Sequence, residues 1–335
     1  MAEQTVAIDI GSYAIKGVVV RAGKELQKIV SQPTPPGAIE GGNIRDPEQI
    51  SAVIKSVWTE LAVKNTQVIS VVPGQHAFVR LLLMPAMKKS EMEQAVRFQA
   101  EGQIPIPAAE LVLDHALVSE HKATKQMEVL VAATRKSIIQ QYLHLFNQAG
   151  LLAKVFDLEA LALERVLFRK NRPVKQGEID IIASIGANNT HISGFAGDVL
   201  RFTRSIPFGG QRFTRALATE RAISPEAAEE SKLAGELPTE TRALLEDLGG
   251  ELRRSIDFFQ NQNKDQVIKQ VLLAGGGSLL PGLKDFLAQK LDMPVDFGNP
   301  SEQLKIGKRV ALPDNAGAWQ AGLAPALGLA IRGLK

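Results

Sequence analysis

The sequence predicts an α/β protein with two lobes, and three observations support this fold class. The chain has 335 residues, which is more than one ordinary hydrophobic core accommodates. Apolar segments of strand length alternate with segments of helical periodicity. A strand–glycine turn–strand pattern occurs twice, because Asp9–Ser12 aligns with Ser184–Ala187 at an offset of 175 (184 − 9). The repeat indicates one duplicated unit in each lobe.

Composition restricts the classes of function. Hydrophobic residues make up 45% and charged residues 22% of the chain, as in globular proteins. The net charge of +3 is small for this length, so we expect no nucleic-acid partner. The chain has no cysteine, which excludes disulfides, Cys-ligated zinc and thiol nucleophiles. The five histidines lack the spacing of a metal site, and no Ser–His–Asp set is recognisable.

The most membrane-like stretch of the sequence is Ala316–Ile331. It is shorter than the roughly 20 apolar residues that a membrane-spanning helix needs, and it contains Gln320 and Pro325. The first ten residues lack the basic stretch and long apolar core of a secretion signal. We therefore expect a buried, Gly/Ala-rich helix in a cytoplasmic protein without a membrane span.

Local patterns predict the elements of the first half of the chain. Thr5–Ile10 and Lys16–Arg21 form a β-hairpin around Gly11–Ser12, and a helix over Pro47–Val63 follows the N-cap Asp46. The later elements are strands over Gln67–Gly74 and Val79–Pro85, a helix that begins at Ser90, strands over Glu110–Val118 and Met127–Thr134, and a helix over Arg135–Gly150. Residues 1–77 then form the first lobe, and residues 78–150 are long enough to form an inserted subdomain.

A second lobe, residues 176–315, repeats the strand pattern of the first. Three strands are followed by polar helices within about 211–265, and a buried strand then leads into the loop Gly275–Ser278 and a helix. The last segment, residues 316–335, contains a helix over Ala318–Arg332 that we expect to pack back on the first lobe.

The glycine turns indicate an anion site between the lobes. Two duplicated glycine hairpins would face each other across a cleft, where their backbone N–H groups can hold an anion. The third glycine cluster, Gly275–Ser278, lies where a strand meets a helix N-terminus. Missing Cβ atoms and the helix dipole favour a close approach by a nucleotide there.

The three glycine motifs, in this order, resemble the phosphate-one, phosphate-two and adenosine motifs of the actin-like ATPase superfamily. The resemblance implies an actin-like (ribonuclease H-like) two-lobed fold. It also implies ATP or ADP as a cofactor, together with Mg²⁺.

Four longer segments sharpen the resemblance: "FQAEGQIPIPAAELVLDHALV", "LRFTRSIPFGGQRFTRALA", "DLEALALERVL" and "PALGLAIR". They are similar to PilM proteins of type IV pilus systems. This implies that residues 78–150 are a 1C-type subdomain and that residues 151–175 form a connecting helix of the first lobe. It further implies a cytoplasmic platform, or a homo-oligomeric ring, that binds ATP and the cytoplasmic tail of the inner-membrane protein PilN. Such a protein is peripheral to the membrane through its partners.

The resemblance implies a role for each candidate site residue. Asp9 would hold Mg²⁺ through water, since this hard cation keeps several waters, and Lys16 would place an ammonium near the phosphates. Glu229 and Lys232, three apart on one helical face, would contact the ribose and adenine. The remaining candidates for nucleotide binding are Gly11, Ser12, Tyr13, Gly186, Asn188, Asn189, Thr190, Gly275, Gly276, Gly277 and Ser278.

One position departs from the family pattern. The family typically has aspartate where this chain has Ser184, and serine supplies no negative charge to organise Mg²⁺ or the attacking water. We therefore expect weak or no ATP hydrolysis, with binding less affected. The catalytic residue is unknown, although Asp157 or Glu159 would be placed to orient water unless they are surface charges.

A proline-flanked turn in the insertion is the candidate partner site. Prolines keep Ile104 and Ile106 extended, so we expect an exposed apolar edge beside the strand over Glu110–Val118. An extended tail could bind such an edge through main-chain hydrogen bonds and apolar anchors. Alternatively, the isoleucines seal the insertion onto the first lobe.

Three other functions stay open on the sequence. The cytoplasmic part of a type II secretion GspL-like protein shares the architecture, and a chain cut at Lys335, before the membrane helix of such a protein, would look the same. A sugar or acetate kinase of the same fold would need a catalytic aspartate that no segment recognisably supplies. An FtsA-like filament former would carry an amphipathic C-terminal helix that is missing here.

Overall fold

The computed structural model describes residues 4–168, 175–308, 310, 312 and 316–334. They form two lobes, each around a mixed β-sheet, and a three-stranded insertion in the first lobe. The strands are β1 Gln4–Ile10, β2 Ala14–Arg21, β3 Glu25–Pro33, β4 Ile39–Glu40, β5 Asn43–Ile44, β6 Gln67–Val72, β7 Phe78–Pro85, β8 Leu111–His121, β9 Gln126–Arg135, β10 Leu152–Leu158, β11 Glu178–Ile185, β12 Thr190–Ala196, β13 Val199–Ile206, β14 Val267–Ala274, β15 Val295–Phe297 and β16 Lys305–Ile306. The helices are α1 Pro47–Leu61, α2 Lys89–Glu101, α3 Lys136–Gln148, α4 Glu159–Leu167, α5 Gln211–Arg221, α6 Pro225–Leu233, α7 Thr241–Gln262, α8 Leu283–Leu291 and α9 Ala316–Arg332.

The two main sheets share one topology. The sheet of lobe 1 has the order β10-β6-β1-β2-β3-β16, and the sheet of lobe 2 has the order β13-β12-β11-β14-β15. In each, three antiparallel strands are followed by two strands parallel to the first. Within the described strands of these two sheets, only β16, on the outer edge of β3, has no counterpart in the other sheet. This correspondence explains the repeat in the sequence.

The insertion is shorter than the sequence indicates. Its sheet has the order β7-β9-β8, with α2 packed on one face, and it ends with β9 at Arg135. Helix α3 belongs to lobe 1 instead, because its buried residues Tyr142, Leu145 and Phe146 join the core formed by α1 and the lobe 1 sheet. From here on, "the insertion" means Phe78–Arg135.

The segment that connects the lobes is only partly helical. Residues 152–158 form β10, which pairs with β6 in parallel and so completes the sheet of lobe 1; helix starts only at Glu159. The expectation of a single connecting helix over 151–175 is therefore wrong for its first half. Its last part, residues 169–174, lies outside the described residues.

One hydrophobic cluster joins the two lobes. It contains residues of the lobe 1 sheet, of α4 and α9, and of lobe 2, including Phe195 and Leu200. Helices α4 and α9 pack closely, since a Cβ on Gly328 would lie 1.8 Å from the Ala162 carbonyl oxygen. None of the helices in the described part of the chain has both the length and the apolar character that a membrane crossing requires.

The turn with Ile104 and Ile106 does not form an exposed apolar edge. Both side chains are buried, with 5% and 4% exposure, in the core between α2 and the sheet of the insertion. The chain folds back because Ile104 N–H still donates to Ala100 O at the end of α2. Prolines therefore do not keep the isoleucines apart, and both contribute to the core of the insertion itself. The expectation that they contact a partner directly is incompatible with this burial.

Candidate functional site

The two glycine hairpins have matching geometry at the ends of their strands. Gly11 N–H donates to Ala14 O at 3.2 Å, and Gly186 N–H donates to Asn189 O at 2.9 Å. A Cβ on Gly11 or Gly186 would lie 2.9 or 3.0 Å from the same carbonyl oxygens, which explains glycine at both positions. The two glycine N–H groups are therefore engaged within their hairpins and do not face a ligand.

The N–H groups at the hairpin tips are available to a ligand. Within the described parts of the chain, the backbone N–H groups of Ser12, Tyr13 and Asn188 have no hydrogen-bond partner. Unpaired N–H groups at adjacent turns form a concavity for anions. The hairpin tips thus keep the donors that phosphate binding needs, one or two residues beyond each glycine.

Side chains of the second hairpin serve mainly to hold it in place. Thr190 is fully buried, and its hydroxyl donates to Phe208 O at 2.7 Å. The Asn189 side chain lies close to Gly42 of lobe 1, since a Cβ added to Gly42 would be 3.0 Å from Asn189 Nδ2. The expected phosphate contact by the Thr190 hydroxyl does not fit this structure, because its proton is donated inside the lobe.

Gly209 and Gly210, which the sequence analysis did not single out, cover the second hairpin. Gly210 N–H donates to Gly186 O, and the N–H of Gln211, the first residue of α5, donates to Ala187 O, both at 2.9 Å. A Cβ on Gly209 would lie 2.3 Å from Ala187 O. The Gly-Gly pair in "IPFGGQ" was the available signal, since close backbone approach requires glycine.

The third glycine loop packs against the second hairpin. Gly275 has φ +80° and lies against Ile185, and Gly277 approaches Gly186 O. Ser278 is buried, and its hydroxyl donates to Gly275 O at 2.7 Å. Among the three glycines of this loop, only Gly276 has space for a Cβ, which would meet no atom within 4 Å. Gly275, Gly277 and Ser278 therefore shape the loop, while Gly276 faces open space.

Glu229 and Lys232 on α6 lie beside this loop. Lys232 Nζ donates to Glu229 Oε2 at 2.6 Å, to Thr214 Oγ1 at 2.9 Å and to Gly210 O at 3.4 Å. Lys232 is buried, so this is not an ordinary exposed ion pair. From lobe 1, Tyr13 approaches the same region: burial and then the charge of Glu229 raise the pKa of its phenol. Tyr13 of lobe 1 and Glu229 of lobe 2 thus lie close enough to interact electrostatically.

Asp9 and Lys16 form the charged part of the first hairpin. Lys16 Nζ lies 3.4 Å from Asp9 Oδ2, with both side chains mostly buried. Burial raises the pKa of Asp9; the Lys16 ammonium opposes this and the Glu159 charge adds to it. Asp9 therefore carries a destabilised negative charge, which a cation in the cleft would stabilise.

Glu159 lies opposite Asp9 and contacts lobe 2. Ser184 Oγ donates to Glu159 Oε1 at 2.8 Å, and His191 Nε2 lies 3.6 Å from Glu159 Oε2. Glu159 was predicted from the sequence, whereas its neighbour His191 was not, because the histidines lack the spacing of a metal site. Lobe 1 thus supplies a carboxylate at the position where Ser184 lacks one.

Asp157 has a structural role. Its carboxylate is 5% exposed and pairs with Arg165 Nη1 at 2.6 Å and with Arg332 Nε at 3.5 Å. It also accepts the backbone N–H of Leu158 at 2.9 Å. These contacts tie α4 to α9, so the idea that Asp157 orients water does not fit the structure.

The cleft residues fit a nucleotide with a metal held largely by phosphates and water. Hairpin-tip N–H groups, Lys16 and the open face of Gly276 suit phosphates and a flat base. The described residues contain no group of three or more His, Asp or Glu side chains able to hold a metal ion. Asp9 and Glu159 can instead orient water around Mg²⁺, as a hard cation with few protein ligands requires.

Comparison with solved structures identifies the fold. A chain of the "PilM-PilN type IV pilus biogenesis complex" is 29% identical, with 100% of both chains covered and a TM-score of 0.84. The ethanolamine utilization protein EutJ from Carboxydothermus hydrogenoformans is 14% identical, with 99% of this chain and 90% of that chain covered and a TM-score of 0.56. The archaeal actin homolog Ta0583 is 13% identical, with 99% of each chain covered and a TM-score of 0.50. The predicted actin-like two-lobed fold is confirmed.

The family assignment rests on the length of the sequence match. The sequence profile of the family described as type IV pilus assembly protein PilM matches residues 7–334. This range includes both glycine hairpins, the insertion and α9, and it agrees with the resemblance carried by the four sequence segments. The chain therefore belongs to the PilM family of type IV pilus assembly proteins.

Proposed function

We propose that this chain is an ATP-binding assembly platform of a type IV pilus machine. It holds the nucleotide between its lobes, hydrolyses it slowly or not at all, and binds the cytoplasmic tail of a PilN-like inner-membrane protein. The observation that carries the proposal is the full-length likeness, at a TM-score of 0.84, to a chain of the PilM–PilN complex. The protein would thus lie in the cytoplasm beneath the inner membrane, alone or in a ring.

The arrangement of the cleft supports the nucleotide. The second hairpin and the third glycine loop are in contact, with Glu229–Lys232 beside them, while the first hairpin carries Lys16. The hairpin tips keep unpaired N–H donors. Backbone nests of this kind favour phosphates. Asp9 and Glu159 would orient the waters of Mg²⁺.

Gly276→Asp tests the nucleotide site. The variant should fold, because a Cβ on Gly276 meets no atom within 4 Å, yet its carboxylate would enter the cleft and repel phosphates. In a titration with fluorescent ATP and Mg²⁺, we expect micromolar binding by the unmodified chain (about −8 kcal/mol) and a loss of about 100-fold in the variant.

The matched control is Gly102→Asp in the insertion. A Cβ on Gly102 would lie 3.9 Å from Gln99 O and near no other atom, so this variant makes the same chemical change away from the cleft. It should bind ATP like the unmodified chain. Normal affinity in Gly276→Asp, or equal losses in both variants, would contradict the site assignment.

We propose that the tail docks near the turn Ile104–Pro107 and the open edge of β8. Ile106→Glu is unsuited to the test because it would bury a charge in the insertion core. Val112 on β8 is 38% exposed, so Val112→Glu changes the edge without changing the core. A titration of a labelled PilN-like tail peptide should show about 10-fold weaker binding to this variant. Unchanged affinity, with a scrambled peptide and Leu152→Glu in lobe 1 as controls, would place the groove elsewhere.

A further inference from the structure

The insertion of lobe 1 is held by a charged contact to lobe 2. Arg201 on β13 donates from Nη1 to Glu128 Oε1 on β9 at 2.7 Å. Ser119 Oγ on β8 donates to the other oxygen, Glu128 Oε2, also at 2.7 Å. The side chains of Arg201 and Glu128 are 24% and 16% exposed. The contact thus joins two lobes through a mostly desolvated ion pair.

Moving Arg201 away from Glu128 would be energetically unfavourable. Burial raises the pKa of Glu128, but the hydrogen bonds from Ser119 and Arg201 and the charge of Arg201 outweigh it, and the pKa lies below its usual range. Arg201 Nε is buried and has no hydrogen-bond partner among the described residues. Without Arg201, the mostly buried Glu128 carboxylate would keep only Ser119 at 2.7 Å and the exposed His121, whose Nε2 lies 3.7 Å away, which is unfavourable for a buried charge.

Strand β13 connects this contact to the nucleotide cleft. It pairs with β12 from Ala196↔Val199 to Thr190↔Ile206, with one register shift, between Gly194↔Phe202 and Phe195↔Leu200, that places Arg201 in a bulge. Thr190 also donates to Phe208 O just beyond the strand. Gly209 and Gly210 then cover the second hairpin. A shift of that hairpin would therefore be carried along the paired residues from Ile206 to Phe202 and reach Arg201 in the adjoining bulge.

We propose that Arg201 is a positioning residue whose ion pair with Glu128 fixes the insertion against lobe 2 and couples it to the state of the second glycine hairpin. The coupling rests on the proposed function, because it links the nucleotide cleft to the insertion that binds the tail. If nucleotide binding changes the affinity for the tail by some factor, tail binding must change the affinity for the nucleotide by the same factor.

Distance measurements between spin labels test the contact. Because the chain has no cysteine, cysteines introduced at the exposed positions Lys122 and Glu226 label the insertion and lobe 2 selectively. We would measure the distance between the two labels by double electron–electron resonance. Without nucleotide, we expect one narrow distance distribution in the otherwise unmodified chain and a broadened one in Arg201→Gln. Mg·ATP should shift the first distribution and leave the second unchanged.

Three further variants separate positioning from general destabilisation. Arg204→Gln changes the same strand, but Arg204 contacts Glu251 and Ser255 within lobe 2, so its distribution should match the unmodified chain. Arg201→Lys keeps the charge and should recover part of the narrow distribution. The exchange Arg201→Glu with Glu128→Arg should recover the narrow distribution and the response to ATP.

A second readout is the effect of Mg·ATP on the affinity of a PilN-like tail peptide. We expect a change of about 5-fold or more in the unmodified chain and none in Arg201→Gln. Identical distributions and ATP responses in Arg201→Gln and the unmodified chain would overturn the proposal. A chain that binds no ATP would contradict the proposed function alone, and the nucleotide-free distributions would still decide whether Arg201 positions the insertion.

Discussion

The two glycine hairpins have the same backbone but different surroundings. Each closes with a hydrogen bond from the glycine N–H to a carbonyl three residues on, and the parent sheets have the same strand order. At the first hairpin, Thr34 donates from Oγ1 to Gly11 O at 2.6 Å and from its backbone N–H to Tyr13 O at 3.0 Å, and Tyr13 at the tip is 55% exposed. The second is covered by Gly209 and Gly210.

Their charges differ as well. The first hairpin has its own acid and cation, Asp9 and Lys16, whereas the second has Ser184, which donates to Glu159 of lobe 1. Duplication has therefore kept the part that depends on backbone geometry, while the electrostatics have become shared across the cleft. The proposed nucleotide site thus takes residues from both lobes, and four predictions test the difference between the hairpins.

The largest effect is expected from closing the space over the second hairpin. In Gly209→Ala, the Cβ would lie 2.3 Å from the backbone oxygen of Ala187, which cannot move without opening the hairpin. We expect a loss of about 3 kcal/mol in the free energy of unfolding. Gly11→Ala, with a milder contact at 2.9 Å, should lose about half as much, measured by chemical denaturation. Equal losses of unfolding free energy in the two variants would show that the packing of Gly209 on the second hairpin matters no more than the contact within the first.

Asp9→Asn should affect Mg²⁺-dependent binding next. The amide keeps the size of the side chain but removes the charge that would orient metal-bound water. We expect about 10-fold weaker binding of Mg·ATP and little change in the binding of ATP measured with EDTA. An equal loss under both conditions would assign Asp9 to the nucleotide itself, or to the fold, rather than to the metal.

Ser184→Asp makes the second hairpin resemble the first. The new carboxylate would lie against Glu159, because Ser184 Oγ is 2.8 Å from Glu159 Oε1. Without metal, we expect a loss of about 1 kcal/mol from like-charge repulsion, recovered on addition of Mg²⁺. Phosphate release, which we expect to be barely above background in the unmodified chain, should rise in this variant. Vigorous turnover by the unmodified chain would show that Glu159 or another acid already suffices.

The smallest effect concerns pH. Burial raises the pKa of Asp9 above its ordinary 3.8, so the folded state retains a proton that the unfolded state has lost. The free energy of unfolding must then fall as pH rises from about 4 through the raised pKa. Asp9→Asn lacks this loss. The Tm of Asp9→Asn minus that of the unmodified chain should therefore rise by about 2 °C as pH increases. If the Tm of Asp9→Asn minus that of the unmodified chain fell as pH rises, the burial argument would be contradicted.

The sequence predicted those parts of the site that depend on local geometry. Glycine between two strands is visible as a pattern, and the offset of 175 between Asp9 and Ser184 indicated the duplicated sheet. Contacts between distant segments carry no local signal. The Ser184–Glu159 and Arg201–Glu128 pairs each join two lobes, and nothing in a strand or helix pattern gives the partner of an isolated charge.

Local arguments were also wrong where tertiary packing decides. Prolines around Ile104 and Ile106 suggested an extended, exposed turn, yet the core of the insertion had space for both side chains. Helix α3 follows the insertion without a break, but its apolar face fits lobe 1. The first half of the connecting segment contributes a strand because the edge of β6 was unpaired without it.

The central claim is that the two hairpins hold a nucleotide between them. A crystal structure of the chain with Mg²⁺ and a non-hydrolysable ATP analogue tests it most directly. We predict phosphates at the backbone N–H groups of Ser12, Tyr13 and Asn188, with the adenosine beside Gly276 and α6. An analogue bound outside this cleft, or contacting only one hairpin, would contradict the claim.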